Sequence, residues 1–437
     1  MSYMTRTVTG AALLLSVGAC APEAPMAESG AAEGGEAMNP QSTVTCESDN
    51  DGLTLADGYC VVVAHEGVGQ ARHVTVAPNG DTWVALRSAD ENDNAIVALR
   101  DTTGDGVMDV ERRFGDTGGS GILRHEEWLY FAPDDRVLRY PIAPGDLTPT
   151  GEPETVVSGL PTGGHSAKSM TFASDGRLLV NIGSRSNACQ EEIRTEGSPG
   201  VDPCPELTER AGIWAFDPEM VDQTQADGER FATGLRNAYA LGNHPETGQI
   251  WAPVHGRDQL HELWPDRFTQ EESAANPAEE FVAIDEGDDF GWPYCYHDPA
   301  NDVKVLAPEY GGDGTEVGRC AGYEDPVLDL PAHWAPNDLT FVSSGPYPDQ
   351  GAFIAFHGSW NRAPLPQGGY NVVFAPFADG QPTGEWEVFA EGFPMGDVSP
   401  RGAEYRPTGL ATTPDGSLLI VDGQQGRIWR VVHQGDG

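Results

Sequence analysis

Lysine is almost absent from this chain: Lys168 and Lys304 are the only two among 437 residues. The chain carries 25 Lys and Arg against 68 Asp and Glu, which gives a formal net charge of −43. Such a charge repels phosphate backbones and excludes a general nucleic-acid binder. The scarce positive charge is nearly all arginine, the residue suited to fixed, bidentate contacts with anions.

Several short catalytic motifs are also missing. The sequence contains no GxSxG, HExxH, P-loop or complete GxGxxG, which disfavours hydrolase, zinc-protease and nicotinamide-dependent chemistry. It has no CxxCH motif for covalent haem, so any redox reaction would pass electrons to a separate acceptor, a cytochrome or a quinone. No stretch of 12 or more residues shows helical periodicity, and we therefore expect few helices.

The apolar run at residues 8–17 is too short to span a bilayer as a helix. Arg6 precedes it and Cys20 ends it, a pattern that resembles a bacterial lipoprotein signal with Cys20 as the lipidated first residue. This predicts an exported chain, anchored by lipid on the periplasmic side, with Ala21 favouring the outer membrane. The alternative is an ordinary secretory signal cut near Ala21. Residues 21–43, rich in Ala, Glu, Gly and Pro, predict a flexible tether.

Six cysteines remain after Cys20, and they fall along the chain as three close couples. We predict three disulfides, each stabilising the fold by roughly 3 kcal/mol, as expected for an exported protein. The predicted pairs are Cys46–Cys60, Cys189–Cys204 and Cys295–Cys320. A metal cluster is the alternative, and the lack of any CxxC pair argues against it.

One pattern recurs six times: an apolar alternating run, a turn that often contains Asp-Gly, and a second apolar run. The copies lie at residues 73–86, 121–131, 170–180, 239–251, 338–357 and 409–421. Each copy is typical of a β-hairpin. Six such units predict an all-β fold, a six-bladed β-propeller over residues 44–437, with Trp83, Trp251 and Trp429 packed between blades. A tandem of β-sandwiches is the alternative.

Polar residues cluster in loops that lie directly before or after these repeats. The segments are His165 before the third repeat, Arg236-Asn237 before the fourth, residues 254–258 after it, 356–362 after the fifth, and 405–407 before the sixth. At such positions propeller loops reach the central axis. We therefore expect one histidine and several arginines to converge at one end of that axis.

Five strings in these regions carry a family resemblance: GLRN at 234–237, HGRD at 255–258, DFGWPYC at 289–295, HGSWNR at 357–362 and RPTGL at 406–410. From about residue 73 to residue 432, the chain resembles the glucose/sorbosone dehydrogenase family. Those proteins are six-bladed propellers that depend on pyrroloquinoline quinone (PQQ) and calcium. The resemblance implies an oxidoreductase that oxidises a sugar, a sorbosone-like sugar aldehyde or a polyol.

The resemblance also implies roles for individual residues. His165 takes the place of the general base, and Arg236 and Asn237 those of the residues that contact the quinone. Arg236 would polarise the carbonyl that receives hydride. Arg362 and Arg406 match residues that pair with the cofactor carboxylates, and the backbone carbonyls of Gly256 and Arg257 match ligands of the cofactor's Ca²⁺. A tricarboxylate suits arginine, and a base with a pKa near neutrality suits histidine.

Two features depart from the family pattern. The lysine that glucose-oxidising members use at the cofactor is absent, with Arg362 in its place, and the loop at residues 259–283 is unlike theirs. The resemblance therefore does not predict the substrate. Two other functions stay open: a metal-dependent lactonase on a similar propeller, which would need an axial cage of Glu, Asp and Asn, and a non-catalytic binding propeller.

A second calcium site is possible at residues 101–112. Asp101, Asp105 and Asp109 occupy positions 1, 5 and 9 of an EF-hand-like loop, with glycine at position 6. Position 12 is Arg112, however, so the loop is not a full EF-hand. It is either a structural calcium turn or a plain Asp-Gly hairpin loop.

Overall fold

The computed structural model describes residues 44–343, 347 and 349–434, and within them the chain is built almost entirely of strands. The strands are β1 (Thr54–Leu55), β2 (Tyr59–His65), β3 (Ala71–Val76), β4 (Thr82–Leu86), β5 (Ile96–Arg100), β6 (Val110–Phe114), β7 (Gly119–His125), β8 (Trp128–Pro133), β9 (Arg136–Pro141), β10 (Glu154–Ser158), β11 (Met170–Phe172), β12 (Leu178–Ile182), β13 (Gly212–Phe216), β14 (Gln223–Thr224), β15 (Glu229–Thr233), β16 (Gly242–Asn243), β17 (Ile250–Val254), β18 (Glu279–Ile284), β19 (Cys295–Asp298), β20 (Val303–Leu306), β21 (Leu328–Leu330), β22 (Pro336–Val342), β23 (Gly351–Phe356), β24 (Asn371–Ala378), β25 (Gln381–Pro382), β26 (Glu387–Glu391), β27 (Pro407–Thr412), β28 (Leu418–Asp422) and β29 (Ile428–His433). The helices of this part of the chain are α1 (Leu260–Leu263), α2 (Gln270–Ala275) and 3₁₀ turns at Asn50–Gly52, Pro205–Thr208, Gln225–Asp227, Pro308–Tyr310 and Gly318–Gly322. The expectation of few helices is confirmed.

Six sheets form the blades of a propeller, as the repeats predicted. In spatial order they are β3-β4-β5-β6, β7-β8-β9-β10-β14, β11-β12-β13-β15, β16-β17-β18-β21, β22-β23-β24-β26-β1 and β27-β28-β29-β2, which we number one to six. Strand β25 pairs with β24, and β19-β20 is a separate hairpin. Each predicted repeat corresponds to the two innermost strands of one sheet. The turn glycines of the first, third and sixth repeats, Gly80, Gly176 and Gly416, have φ of 84–90°, the left-handed conformation that favours glycine.

The ring is closed by contacts between neighbouring innermost strands, in the order β3, β7, β11, β16, β22, β27 and back to β3. Six apolar clusters fill the six spaces between adjacent sheets. Trp83 lies between sheets one and two, Trp251 between four and five, and Trp429 between five and six, all fully buried. Stacking therefore supplies six small cores in place of one large core.

Strands from distant parts of the chain complete three of the sheets. The N-terminal strand β2 pairs antiparallel with the C-terminal β29, with Tyr59 opposite His433, and so closes sheet six. Strand β1 adds to the edge of sheet five, and β14 pairs parallel to β10 in sheet two. Strand β2 near the start of the described chain and β29 at its end therefore share one blade.

The three predicted disulfides are present. The Cα atoms are 5.8 Å apart in Cys46–Cys60, 6.2 Å in Cys189–Cys204 and 5.8 Å in Cys295–Cys320. The last two lie in one apolar cluster with Trp292 and Tyr294. Cys20 and the tether at residues 21–43 lie outside the described residues. Among those described, no helix has the length and apolarity needed to cross a bilayer.

Candidate functional site

His165 lies at one end of the central axis, in the loop that leads into β11. We call this end the funnel: it is where the starts of β3, β11, β22 and β27 meet the ends of β12, β17 and β23. The Nδ1 atom of His165 lies 3.0 Å from both the carbonyl oxygen and the Oγ of Ser184. The Ser184 hydroxyl itself donates to the carbonyl of Ser186 at 2.7 Å. Both groups facing Nδ1 therefore act as acceptors, which places the proton on Nδ1 and the lone pair on Nε2.

The environment of His165 keeps its imidazole neutral. Burial, together with the nearby Arg236 guanidinium and His255, lowers the pKa of His165 to about 3. A pKa near neutrality was expected for His165. The structure instead gives an imidazole that is neutral at physiological pH, mainly because it is buried.

Arg236 and Asn237 follow β15 and are both buried. The guanidinium of Arg236 donates to the Gly256 carbonyl at 2.7 Å, to Asn187 Oδ1 at 3.1 Å and to Asp258 Oδ2 at 2.9 Å. Its Nε and the Oδ1 of Asn237 are buried without a hydrogen-bond partner among the described residues. Unsatisfied buried polar atoms are costly, so these two atoms point to a polar ligand that would satisfy them.

Asp258 connects several of these groups, although the sequence analysis gave it no role. Its carboxylate accepts from Arg236, from Arg194 at 3.0 Å and from Asn361 Nδ2 at 3.1 Å. Burial alone would raise the pKa of this carboxyl, but Arg236, His333 and Arg194 outweigh it and lower the pKa to about 2. Asp258 is therefore ionised and orients Arg236.

Arg362 and Arg406 are held in the funnel by backbone carbonyls. Arg406 donates to the carbonyls of His357 and Gly358 at 2.7 and 2.9 Å, and Arg362 donates to those of Ala332 and Pro366 at 2.6 and 3.2 Å. Neither forms an ion pair with a carboxylate in the described part of the chain, which is notable where acidic residues are so numerous. Carbonyls orient a guanidinium without neutralising it, so these arginines are suited to an anionic ligand.

Arg72 is a third arginine of this kind, which the sequence analysis missed. It lies in β3 and donates to the Ala71 carbonyl at 2.7 Å. A Cβ atom on Gly423 would lie 3.3 Å from both Arg72 Nη1 and His357 Cε1, so the two side chains meet there. The sequence could have predicted Arg72 by its position, because it directly precedes the first repeat, as Arg406 precedes the sixth.

The predicted residues converge through a chain of contacts. His165 and Asn237 both pack against Gly183, where an added Cβ would lie 2.7 Å from His165 Cβ and 3.1 Å from Asn237 Oδ1. Asp258 then links Arg236 to Asn361, the neighbour of Arg362 in the chain. The funnel also holds several imidazoles where one was expected; two of them, His255 and His357, follow β17 and β23. Burial, with neighbouring arginines, lowers the pKa of both.

Gly256 and Arg257, the predicted calcium ligands, lie beside Arg236. The Gly256 carbonyl accepts from Arg236, and its N–H donates to the buried Glu279 carboxylate at 2.6 Å. The side chain of Arg257 forms a buried ion pair with Glu309, so Arg257 could serve a cation only through its backbone. Burial raises the pKa of Glu279 to about 7 against the backbone donors of Gly256 and Ala335.

The aspartates of the 101–112 loop do not gather around a common point. Asp101 accepts the N–H groups of Thr103, Gly104 and Gly106 at 2.7–3.0 Å, and Asp109 binds Thr102. Within the described residues, one trio of His, Cys, Asp or Glu has metal-ligating atoms within 4.8 Å of one another: His297, Asp302 and Asp329. The carboxylates of Asp101 and Asp109 satisfy the backbone of the loop itself, as in a plain Asp-Gly hairpin loop, and calcium at Asp101, Asp105 and Asp109 stays a prediction.

The buried imidazoles predict a loss of stability on acidification of the cofactor-free protein. The pKa values of His165 and His255 are about 3 and 4, below the ordinary 6.5, so between these values the unfolded chain binds more protons. Their stabilisation is present above about pH 6.5 and is lost toward pH 4, by up to roughly 2.7 kcal/mol per pH unit for the pair. Urea unfolding between pH 7.5 and 4.5 measures the net slope, which Glu279 opposes because its pKa is raised to about 7.

Two single variants test the origin of that slope. His165→Gln should flatten it, because one of the buried imidazoles with a lowered pKa no longer titrates. His297→Gln should leave the slope between pH 6.5 and 4.5 unchanged: burial lowers the pKa of His297, but the carboxylate of Asp329 outweighs it and raises that pKa, so this imidazole is protonated in both states over that range and its stabilisation is lost only at higher pH. Equal slopes in both variants would contradict the assignment of the pH dependence to the buried imidazoles.

Comparisons with known proteins identify the family of this chain. The sequence profile of the TrAA12-like family matches residues 53–434. The PQQ-dependent pyranose dehydrogenase of Coprinopsis cinerea is 24% identical over 408 residues, which cover 84% of this chain and 53% of that protein. The PQQ-dependent sugar dehydrogenase of Hypocrea jecorina is 26% identical over 226 residues, covering 47% of this chain and 49% of that protein. The chain spans about half the length of the curated relatives it matches.

Solved structures show the same fold. The holo form of the pyranose dehydrogenase PQQ domain from Coprinopsis cinerea superposes with a TM-score of 0.71 at 21% identity, covering 87% of this chain and 96% of that one. The calcium structure of the Trichoderma reesei family AA12 enzyme gives 0.70 at 20% identity, covering 89% and 98%. At such identities the likeness shows the fold alone. With its profile matched over nearly all the described residues, the chain belongs to the TrAA12-like family, a family of PQQ-dependent sugar dehydrogenase-like oxidoreductases.

Proposed function

We propose that this chain is a PQQ- and Ca²⁺-dependent dehydrogenase that oxidises a sugar, a sugar aldehyde or a polyol. The observation that carries the proposal is the funnel itself: it holds an imidazole whose Nε2 lone pair is free, beside Arg236, and two arginines, Arg362 and Arg406, that form no ion pair among the described residues. That combination suits a flat polyanionic cofactor and a substrate that must lose a proton. The names of the relatives at 24–26% identity support the same chemistry.

Each funnel residue has a place in this proposal. Arg362, Arg406 and Arg72 would hold the cofactor carboxylates, and the unpartnered Nε of Arg236 and Oδ1 of Asn237 would contact its polar edge. The carbonyls of Gly256 and Arg257 would bind the calcium ion. When bound, the ortho-quinone supplies the acceptor for the hydride that leaves the substrate carbon.

His165 would act as the general base. Nε2 takes the proton of the substrate hydroxyl, while the Ser184 carbonyl and hydroxyl hold the Nδ1 proton and fix the ring. Burial is the main cause of the low pKa of His165 and the charge of Arg236 the second, so a bound polyanion that offsets Arg236 would raise this pKa in part.

The same proposal covers the cellular setting. The chain would be exported and attached to the membrane by lipid at Cys20. The three disulfides of the propeller support export, because disulfides persist in oxidising compartments. A separate cytochrome or quinone would reoxidise the cofactor, because the sequence has no haem-attachment motif. A metal-dependent lactonase is disfavoured, since Asp258, a carboxylate of the funnel, is paired with both Arg236 and Arg194.

The test is reconstitution of the purified protein with PQQ and Ca²⁺. We expect stoichiometric uptake, followed by dye reduction with at least one member of a panel of aldoses, aldehydes and polyols. Omission of Ca²⁺ should weaken the activity. Uptake without reduction by any substrate would favour the binding propeller, and no uptake would contradict the proposal altogether.

A further inference from the structure

The segment of residues 184–189, which follows β12, contacts both residues that the proposed function places at the reacting atoms. Ser184 accepts from Nδ1 of His165 and donates its N–H to the Arg236 carbonyl at 2.8 Å. Three residues on, Asn187 Oδ1 accepts from Arg236 Nη2 at 3.1 Å and from the Asp258 N–H at 2.8 Å. Its Nδ2 donates to the Asp258 carbonyl at 2.9 Å. One short stretch therefore orients the imidazole and the guanidinium together.

This segment is constrained at its far end by a disulfide and by one carboxylate. Cys189 is bonded to Cys204, and Glu206 lies two residues beyond that bridge. The Glu206 carboxylate accepts the Ser186 hydroxyl, the Ser186 N–H at 3.1 Å and the Arg185 N–H at 2.7 Å. Ser186 in turn accepts the Cys189 N–H at 2.9 Å through its Oγ.

The backbone of the segment needs such constraints. Cys189 has φ of +50°, a left-handed conformation that is unfavourable for a residue with a Cβ. Ser184, Ser186 and Asn187 are buried, with exposed fractions of 0%, 4% and 2%. A buried polar stretch of this kind keeps one conformation only while its hydrogen bonds are complete.

We infer that the Cys189–Cys204 bridge and Glu206 hold residues 184–189 as the positioning element of the site, and that Ser184, Asn187 and Glu206 are positioning residues for His165 and Arg236. This inference rests on the proposed function for its kinetic consequence. Its structural consequence, the fixed Nδ1–H tautomer of His165, does not depend on the cofactor. A displacement of about 1 Å at reacting groups costs on the order of 10²-fold in rate.

The first experiment compares two disulfides that close loops of nearly the same length. C189S/C204S removes the bridge at the segment, and C46S/C60S removes one in sheet six; the sequence separations are 15 and 14. Loss of stability should be similar in both, because it scales with loop length. We expect kcat of the PQQ-loaded enzyme to fall roughly 10- to 100-fold in C189S/C204S and less than about threefold in C46S/C60S, with little change in PQQ affinity. Equal kcat in the two variants would overturn the inference.

The second experiment keeps all cysteines and is independent of any activity. Glu206→Ala releases the segment, whereas Glu209→Ala removes an exposed carboxylate three residues along the chain. In the cofactor-free protein, we expect the ¹⁵N signal of His165 Nδ1–H to be protected from exchange in wild type and Glu209→Ala, and to be lost or averaged between tautomers in Glu206→Ala. An unchanged signal in Glu206→Ala would overturn the inference even if PQQ binds. Failure of wild type to take up PQQ would instead contradict the proposed function and leave this readout intact.

Discussion

Replacement of His165 by alanine is expected to reduce turnover by roughly 10²- to 10⁴-fold while PQQ uptake stays largely intact. The imidazole contributes no charge that would hold an anionic cofactor, because its pKa is about 3 in the cofactor-free site. It does supply the Nε2 lone pair, which Ser184 exposes by holding the proton on Nδ1. The measurement is single-turnover dye reduction, normalised to the quinone absorbance of each preparation.

His125→Ala is the matched control for this prediction. His125 ends β7 at the opposite end of the propeller and stacks on Phe172 with ring centroids 3.8 Å apart. Its replacement removes an imidazole and a packing contact but should leave turnover near the wild-type value. Loss of bound cofactor in His165→Ala, with normal turnover of the remainder, would contradict the role as base and make His165 a binding residue.

The inner part of the fold was predictable because its signal is local. Each repeat contains two adjacent strands and the turn that joins them, so the alternation and the turn glycine lie within about 20 residues. The strands that complete the blades are different. Pairing of β2 with β29 joins residues at opposite ends of the chain, and that of β10 with β14 joins Val157 to Gln223. No local pattern marks these partners, and only the packed structure identifies them.

The residues of the candidate site also fall into those that a local sequence pattern predicts and those that only the structure identifies. His165, Arg236, Arg362 and Arg406 were predicted from the sequence, because each lies in a segment next to a repeat. Asn187 was not predicted, because its role depends on its hydrogen bond with Asp258, which is 71 residues away in the chain. The low pKa values of His165 and His255 could not be predicted from the sequence either, since they result from burial beside Arg236 and not from residue type.

Replacement of Arg406 by glutamine is expected to weaken PQQ binding by roughly 30- to 5,000-fold, the range for removing one partner of a buried charge pair. Arg406 is suited to this role because its guanidinium donates to the His357 and Gly358 carbonyls, which fix its direction and leave its charge unneutralised. Titration of the cofactor-free protein with PQQ, followed by tryptophan quenching in the presence of Ca²⁺, gives the Kd.

Arg430→Gln provides the control for charge alone. Arg430 lies on β29 and pairs with Asp415 at the opposite end of sheet six, 2.5 Å away, so its removal changes the net charge of the chain equally without touching the funnel. A general electrostatic attraction would weaken binding in both variants and would disappear in salt, because exposed charges are screened within about 10 Å at 0.1 M. A funnel contact weakens binding in Arg406→Gln alone and persists at high ionic strength. Equal affinities in the two variants would show that the carboxylates of the cofactor are held elsewhere, and Arg72 and Arg362 would then be the next residues to replace.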